Sequence, residues 1–212
     1  MAIVWSCALS VDEYLAAGRS VAVPRPDCPD CTTTMSFWSG YVRSVRVEGP
    51  CHKLWVRRAR CGRCRSSHAL IPSFCLVGRL DLVEVVGEVM AEVLRGDTNV
   101  QLAAERIDVP YTTARDWVRR FTRRAAALAA GFAAVVEVSG IAPVLAFELP
   151  RQALEAIEAA FVAVGSRAGP ALPGLWTFAG LVTGGGLLGT TTNPPWFFLG
   201  KRRFIPPVPQ GR

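Results

Sequence analysis

CPDCTTTMSFWSGYVRSVRVEGPCHKLWVRRARCGRC, residues 28–64, opens and closes on a Cys-x-x-Cys pair. Such a turn presents two thiolates to one metal ion, and two turns complete a tetrahedral sulfur shell suited to zinc. Between the pairs, Ser36 to Val47 is rich in aromatic and β-branched residues, and Leu54 to Arg60 follows the turn signal Glu48-Gly49-Pro50. Two strands joined there bring the cysteine pairs together, so residues 25–76 are expected to form a zinc ribbon. Cys28, Cys31, Cys61 and Cys64 are its expected ligands and one structural Zn²⁺ its cofactor, because four protein sulfurs leave no open position for catalysis. The bland alternative is four ordinary or redox-active cysteines, but no βαβ pattern flanks either pair. His68 or Cys75 could join a second site. Neither sits in a close ligand pair, so packing or surface placement is expected for them and for Cys7, Cys51 and His52.

Upstream, residues 1–24 read as a short helix and a lead-in: Ser10-x-x-Glu13 is a capping box ahead of Tyr14, Leu15 and Ala17, and Gly18 stops the helix. Downstream, residues 78–124 are helical. Asp81-x-x-Glu84 is a candidate cap for Leu82, Val85, Val86, Val89, Met90 and Val93, which recur at helical spacing until Gly96. Thr98-x-x-Gln101 starts a short helix, and Pro110 breaks it before a third, from Thr112 to about Ala127. Residues 125–212 hold Ala-rich helix to about Val138, a Gly/Pro interruption, another helix after Pro150, and an extended tail. The expected class is mainly α with a small β zinc ribbon, a helix-turn-helix and a C-terminal helical region.

The 212-residue chain carries a formal charge of +7, and arginine supplies nearly all of its 24 basic residues. Clustering says more than the total. Arg43 to Arg65 sets eight basic residues against the single acid Glu48, a localised stripe that favours a polyanionic partner. The N-terminus lacks the basic n-region of a signal peptide, and thiols held by metal fit a reducing cytoplasm, with nucleoid association for a DNA binder. The uncharged run from 168 to 200 is broken by Gly and Pro into pieces too short to span a membrane.

In the third helix Ala114, Trp117, Val118 and Phe121 fall on one face, and Thr112, Thr113, Arg115, Arg119, Arg120 and Arg123 lie opposite. A helix-turn-helix delivers its second helix to a major groove in this way, with apolar residues behind and Thr and Arg ahead. Arg57, Arg58, Arg60, Arg63 and Arg65 are the expected ribbon contacts. The alternative is an ordinary helical core with a solvated Arg face.

The order CPDC, CGRC, SSHALIPSF, a long helix, then QLAAERIDVPYTTARDWVRRF resembles the zinc-ribbon and helix-turn-helix front end of bacterial insertion-sequence transposases. It is similar in particular to short actinobacterial transposase-associated proteins that keep those modules without a nuclease core. The resemblance covers about residues 20–125. It implies duplex DNA binding, the four cysteines as zinc ligands, and a role beside a transposase or as its regulator.

A DDE-type nuclease needs three carboxylates converging on two metal ions, and after Phe121 only Glu137, Glu148, Glu155 and Glu158 remain. A non-catalytic protein is therefore expected. A stand-alone transcriptional regulator, or a scaffold subunit binding RNA or protein, are the other readings. Trp176, Phe178, Trp196, Phe197 and Phe198 are candidates for a surface that docks a transposase or a second copy, since the C-terminal region is too apolar for a solvated tail.

Overall fold

The computed structural model describes residues 2–137, 148–168 and 174–189. Among these the chain is mixed α/β, with one four-stranded sheet and six α-helices. The strands are β1 (Ala2–Trp5), β2 (Ser36–Arg46), β3 (Cys51–Arg60) and β4 (Ser67–Pro72), in the order β1-β4-β3-β2. β2 and β3 form the expected antiparallel hairpin, in register from Arg46 opposite Cys51 to Ser36 opposite Arg60, with an irregularity between Phe37 and Ser39 that leaves Trp38 without an opposite residue. Glu48 and Gly49 turn the corner at positive φ, 49° and 99°. β4 adds antiparallel to β3, and β1 pairs parallel with β4.

The N-terminal segment is thus hydrogen-bonded into the sheet. Its helix α1 (Val11–Ala17) has both reciprocal bonds of the Ser10–Glu13 capping box. α1 lays the buried Tyr14 on β3, where its hydroxyl donates to the Trp55 carbonyl at 3.0 Å. Tyr14, Val21, Val45, Leu54, Val56, Ile71 and Phe74 make one apolar core behind the sheet. A smaller one gathers Met35, Ala59 and Leu70 around Cys28 and Cys61.

The helical layer comprises α2 (Val83–Arg95), α3 (Val100–Arg106), α4 (Tyr111–Glu137), α5 (Leu149–Ala168) and α6 (Leu175–Val182). Several boundaries depart from the sequence reading. α2 begins two residues after Asp81, with no side-chain cap, because Asp81 is drawn to the sheet by Arg46 at 3.2 Å. Glu84 caps another helix: its Oε1 accepts from the Thr177 amide in the first turn of α6 at 2.8 Å. α3 is capped by Asn99, whose side chain accepts from the Leu102 amide at 2.9 Å, and not by Thr98. α4 runs unbroken through the Ala-rich stretch, since no proline interrupts it and Gly131 is buried.

The helical core takes Trp117, Phe121, Leu128 and Phe132 from α4, Leu154 and Ile157 from α5, and Trp176 and Phe178 from α6. This corrects the expected docking surface. Trp176 and Phe178 are only 3% exposed, because α6 packs against α2 where Gly87 leaves room for the indole. Phe178 meets the rings of Phe132 and Phe161. Trp196, Phe197 and Phe198 lie outside the described residues. No helix of the described residues is long and apolar enough to cross a membrane.

Candidate metal centre and basic sheet

Each Cys-x-x-Cys turn is built by the same pair of backbone bonds. Thr32 N–H donates to Cys28 O at 2.8 Å and Cys28 N–H to Thr33 O at 2.9 Å. In the second turn, Arg65 N–H donates to Cys61 O at 3.1 Å and Cys61 N–H to Ser66 O at 2.9 Å. The fifth residue of each turn has left-handed backbone, Thr32 at φ 56° and Arg65 at φ 63°. Two copies of one local shape therefore face each other, although their sequences share only the cysteines. The hairpin supplies the approach: the first turn leads into β2 and the second leaves β3.

The four sulfur atoms lie within 4.8 Å of one another. Cys28 and Cys64 sulfurs are 3.5 Å apart, Cys31 and Cys61 sulfurs 3.3 Å, and no disulfide forms among the described cysteines. Tetrahedral coordination with metal–sulfur bonds of about 2.3 Å separates sulfurs by about 3.8 Å, so the cluster needs little adjustment to close on an ion. The donors fit.

Protonation in the cluster is uneven. Burial opposes the Cys28 thiolate, yet the Ser66 hydroxyl and the Asp30 and Cys31 amides outweigh it and hold the thiol well below its ordinary range. Cys31 is lowered, chiefly by its contact with Cys61. Cys61 is raised: bonds from the Cys64 and Arg63 amides favour its thiolate but do not overcome burial and the neighbouring Cys31 sulfur. Charge crowding among thiolates in a shared site is what a bound cation relieves.

Of two neighbours of the cluster, Ser66 escaped the sequence reading, and His68 was named there only as a possible member of a second site. The Ser66 hydroxyl lies 2.9 Å from the Cys64 sulfur and 3.5 Å from that of Cys28. His68, buried on β4, has its Nε2 3.3 Å from the same hydroxyl, and Cys28, Asp30 and His68 form a second group with donor atoms in mutual reach. Alternation along SSHALIP was the available signal for β4. Cys75 is buried and its thiol pushed up to about 11, first by that burial.

Arg57, Arg58, Arg60, Arg63 and Arg65 run along β3 into the second turn, and none has a carboxylate partner among the described residues. Arg58 and Arg60 lie over the Trp38 ring at 5.7 and 5.6 Å, and Arg57 over Phe37 at 5.0 Å. On α4 the picture differs. Arg119 and Arg120 both bind Asp116, at 2.6 and 2.5 Å, and Arg79 approaches the same carboxylate at 3.6 Å. Arg115 lies over Tyr111 at 5.5 Å, while Thr112 and Arg123 are exposed and Thr113 is half-buried. The opposite face of α4 is buried as expected at Ala114, Trp117 and Phe121, with Ala103 and Ala104 of α3 against it. Asp108, at φ 50°, makes the turn between α3 and α4. Of the late carboxylates, Glu155 pairs with Arg151 and Glu158 with Arg95.

A family described as a domain of unknown function (DUF6431) matches residues 28–117, from the first cysteine of the cluster to the buried Trp117. No curated protein and no solved structure matches the chain.

Proposed function

We propose that this is a non-catalytic protein that binds duplex DNA, with a structural zinc ion on Cys28, Cys31, Cys61 and Cys64 shaping a ribbon and with α3 and α4 acting as a helix-turn-helix. The observation that carries the reading is the four-sulfur cluster at the root of a strand whose arginines, from Arg57 to Arg65, have no acidic partner among the described residues. Unneutralised guanidinium groups on a rigid strand favour phosphate oxygens. The exposed side of α4 supplies Thr112, Thr113, Arg115, Arg119, Arg120 and Arg123 for the groove, and the turn after α3 sets its angle. The resemblance to transposase front ends gives the setting: the protein acts with a transposase, or regulates one, in the bacterial cytoplasm at the nucleoid.

Fluorescence anisotropy with labelled duplex DNA tests this on the full chain. If about six phosphates are neutralised, log K falls with log salt at a slope of roughly −5. Arg119→Ala with Arg120→Ala should weaken binding and leave the circular dichroism spectrum unchanged. Salt-independent binding, or none, overturns the reading. Incubation of a nuclease-free preparation with DNA and Mg²⁺ should leave the strands intact.

A further inference from the structure

The hairpin carries a groove on which neither the metal nor the helices draw. Arg19, Phe37, Trp38, Ser39, Gly40, Trp55 and Arg57 line a shallow, open groove of about 360 Å³. Its floor is the Trp55 indole, laid flat across β2. A Cβ at Gly40 would stand 2.2 Å from that ring, so glycine is the residue that lets the indole lie there. The Arg19 guanidinium lies over the ring, 4.5 Å from its centroid. Arg19 is exposed and pairs with no carboxylate among the described residues. Phe37 forms a second wall, with Arg57 at 5.0 Å and Arg25 at 5.8 Å. Arg57 donates to the Arg19 carbonyl at 2.9 Å, while its Nε–H is screened from solvent with no acceptor. Trp38, at the irregularity of β2, is 53% exposed and stands at the rim, its indole N–H donating to Ser67 at 3.1 Å.

We infer that this groove binds an unpaired nucleobase together with its phosphodiester, giving the hairpin a single-strand site beside the arginines and the helix that take the duplex. Aromatic rings with guanidinium groups against them match the two halves of a nucleotide, since a base stacks on the ring and the arginines take the phosphate. In a duplex the faces of each base are covered by its neighbours, so only an unstacked base offers one to Trp55. The groove is at the small end of ligand sites, which hold about 300–1,000 Å³, and admits one nucleotide but no helix. No lining residue is acidic. Arg19 lifts from the indole as the base takes its place, and an exposed cation–π contact is weaker than a stacked base on the same ring. Trp38 at the rim offers a neighbouring base a second ring. The inference deepens the nucleic-acid reading above and rests on it.

The test compares oligo(dT), oligo(rU) and duplex DNA on the full, metal-loaded chain, titrated by anisotropy. Both single strands should bind if base and phosphate suffice, and preference for one names the sugar. Trp38→Ala and Trp55→Leu should each weaken single-strand binding by about five- to a hundred-fold, the range for loss of one stacked base, and Arg19→Ala should weaken it and lessen its salt dependence through loss of a phosphate contact. Duplex affinity should be unchanged in Arg19→Ala and Trp55→Leu, while Trp38→Ala, whose ring carries Arg58 and Arg60, is read on single strands alone; Trp55→Phe should recover most of the loss. Should Trp55→Leu fail to fold, Arg19→Ala and Trp38→Ala decide, because both side chains are exposed. Duplex binding without single-strand binding, or single-strand affinity indifferent to these variants, overturns the groove alone. Failure to bind either nucleic acid overturns the proposed function with it.

Discussion

Stripping the metal should unfold the two cysteine turns and leave the helices standing. Apart from the cysteines, the core beneath the turns holds, among the described residues, only Met35, Ala59 and Leu70 as fully buried apolar residues. Burying Met35 and Leu70 contributes about 1.5–3 kcal/mol each. Ordering the backbone costs roughly 1–2 kcal/mol per residue, so those side chains offset the ordering of only a few residues. A structural zinc ion contributes about 10–16 kcal/mol in finger peptides, enough to hold both turns closed. The helices draw on the larger core of α2 to α6, which includes none of the four cysteines. Hydrogen exchange on the full chain, read by mass spectrometry before and after chelation, separates the two regions. Protection should vanish over the turn amides, those of Cys28, Thr32, Cys61 and Arg65 among them, and persist in α2 and α4. Cys61→Ser should behave as the chelated protein does and lose its zinc in elemental analysis. A metal-depleted chain whose turn amides stay as protected as those of the loaded chain would refute the reasoning.

Four further outcomes are expected. A Cβ at Gly87 would come within 2.0 Å of the Trp176 ring, so Gly87→Ala should destabilise the fold. Overpacking costs about 1–3 kcal/mol, against a helix-propensity gain of about 1 kcal/mol; the melting temperature should therefore fall, and adding Trp176→Leu should restore part of it. Asp116→Asn frees Arg119, Arg120 and Arg79 and should tighten duplex binding with a steeper salt dependence; unchanged affinity would remove those arginines from the interface. The hydrogen bond from Arg120, with that from Arg119, holds the Asp116 carboxyl below its ordinary value. Its ion pairs thus stabilise the fold above the unfolded value of about 4 and are lost as pH falls through the lower folded value, an acid-limb contribution that an Asp116→Asn melt should lack. Tyr14→Phe removes a buried bond to the Trp55 carbonyl and should cost about 0.5–1.5 kcal/mol in urea titration.

The hairpin, the capping box of α1 and the proximity of the four cysteines were legible because each is local. Alternation gives a strand, Ser10 and Glu13 reach each other within one turn, and a hairpin must bring its two ends together. Pairing at a distance was not legible. β1 is four residues whose strand character depends on β4, more than sixty residues on, and Asp81 and Glu84 look like caps of their own helix until Arg46 and the α6 amides compete for them. Sequence likewise shows that Trp176 and Phe178 are too apolar for water, but whether they face a partner or Gly87 depends on where α6 lands. The groove is the same case, since SFWSGYV and LWVRR give strands with aromatic and basic residues, while the flat indole on Gly40 under Arg19 exists only once register is set and α1 has docked. Composition and short-range spacing determine which groups are present and which local turns they can make. Desolvation and long-range competition for hydrogen bonds decide which groups meet, and those terms take their values only in the folded chain.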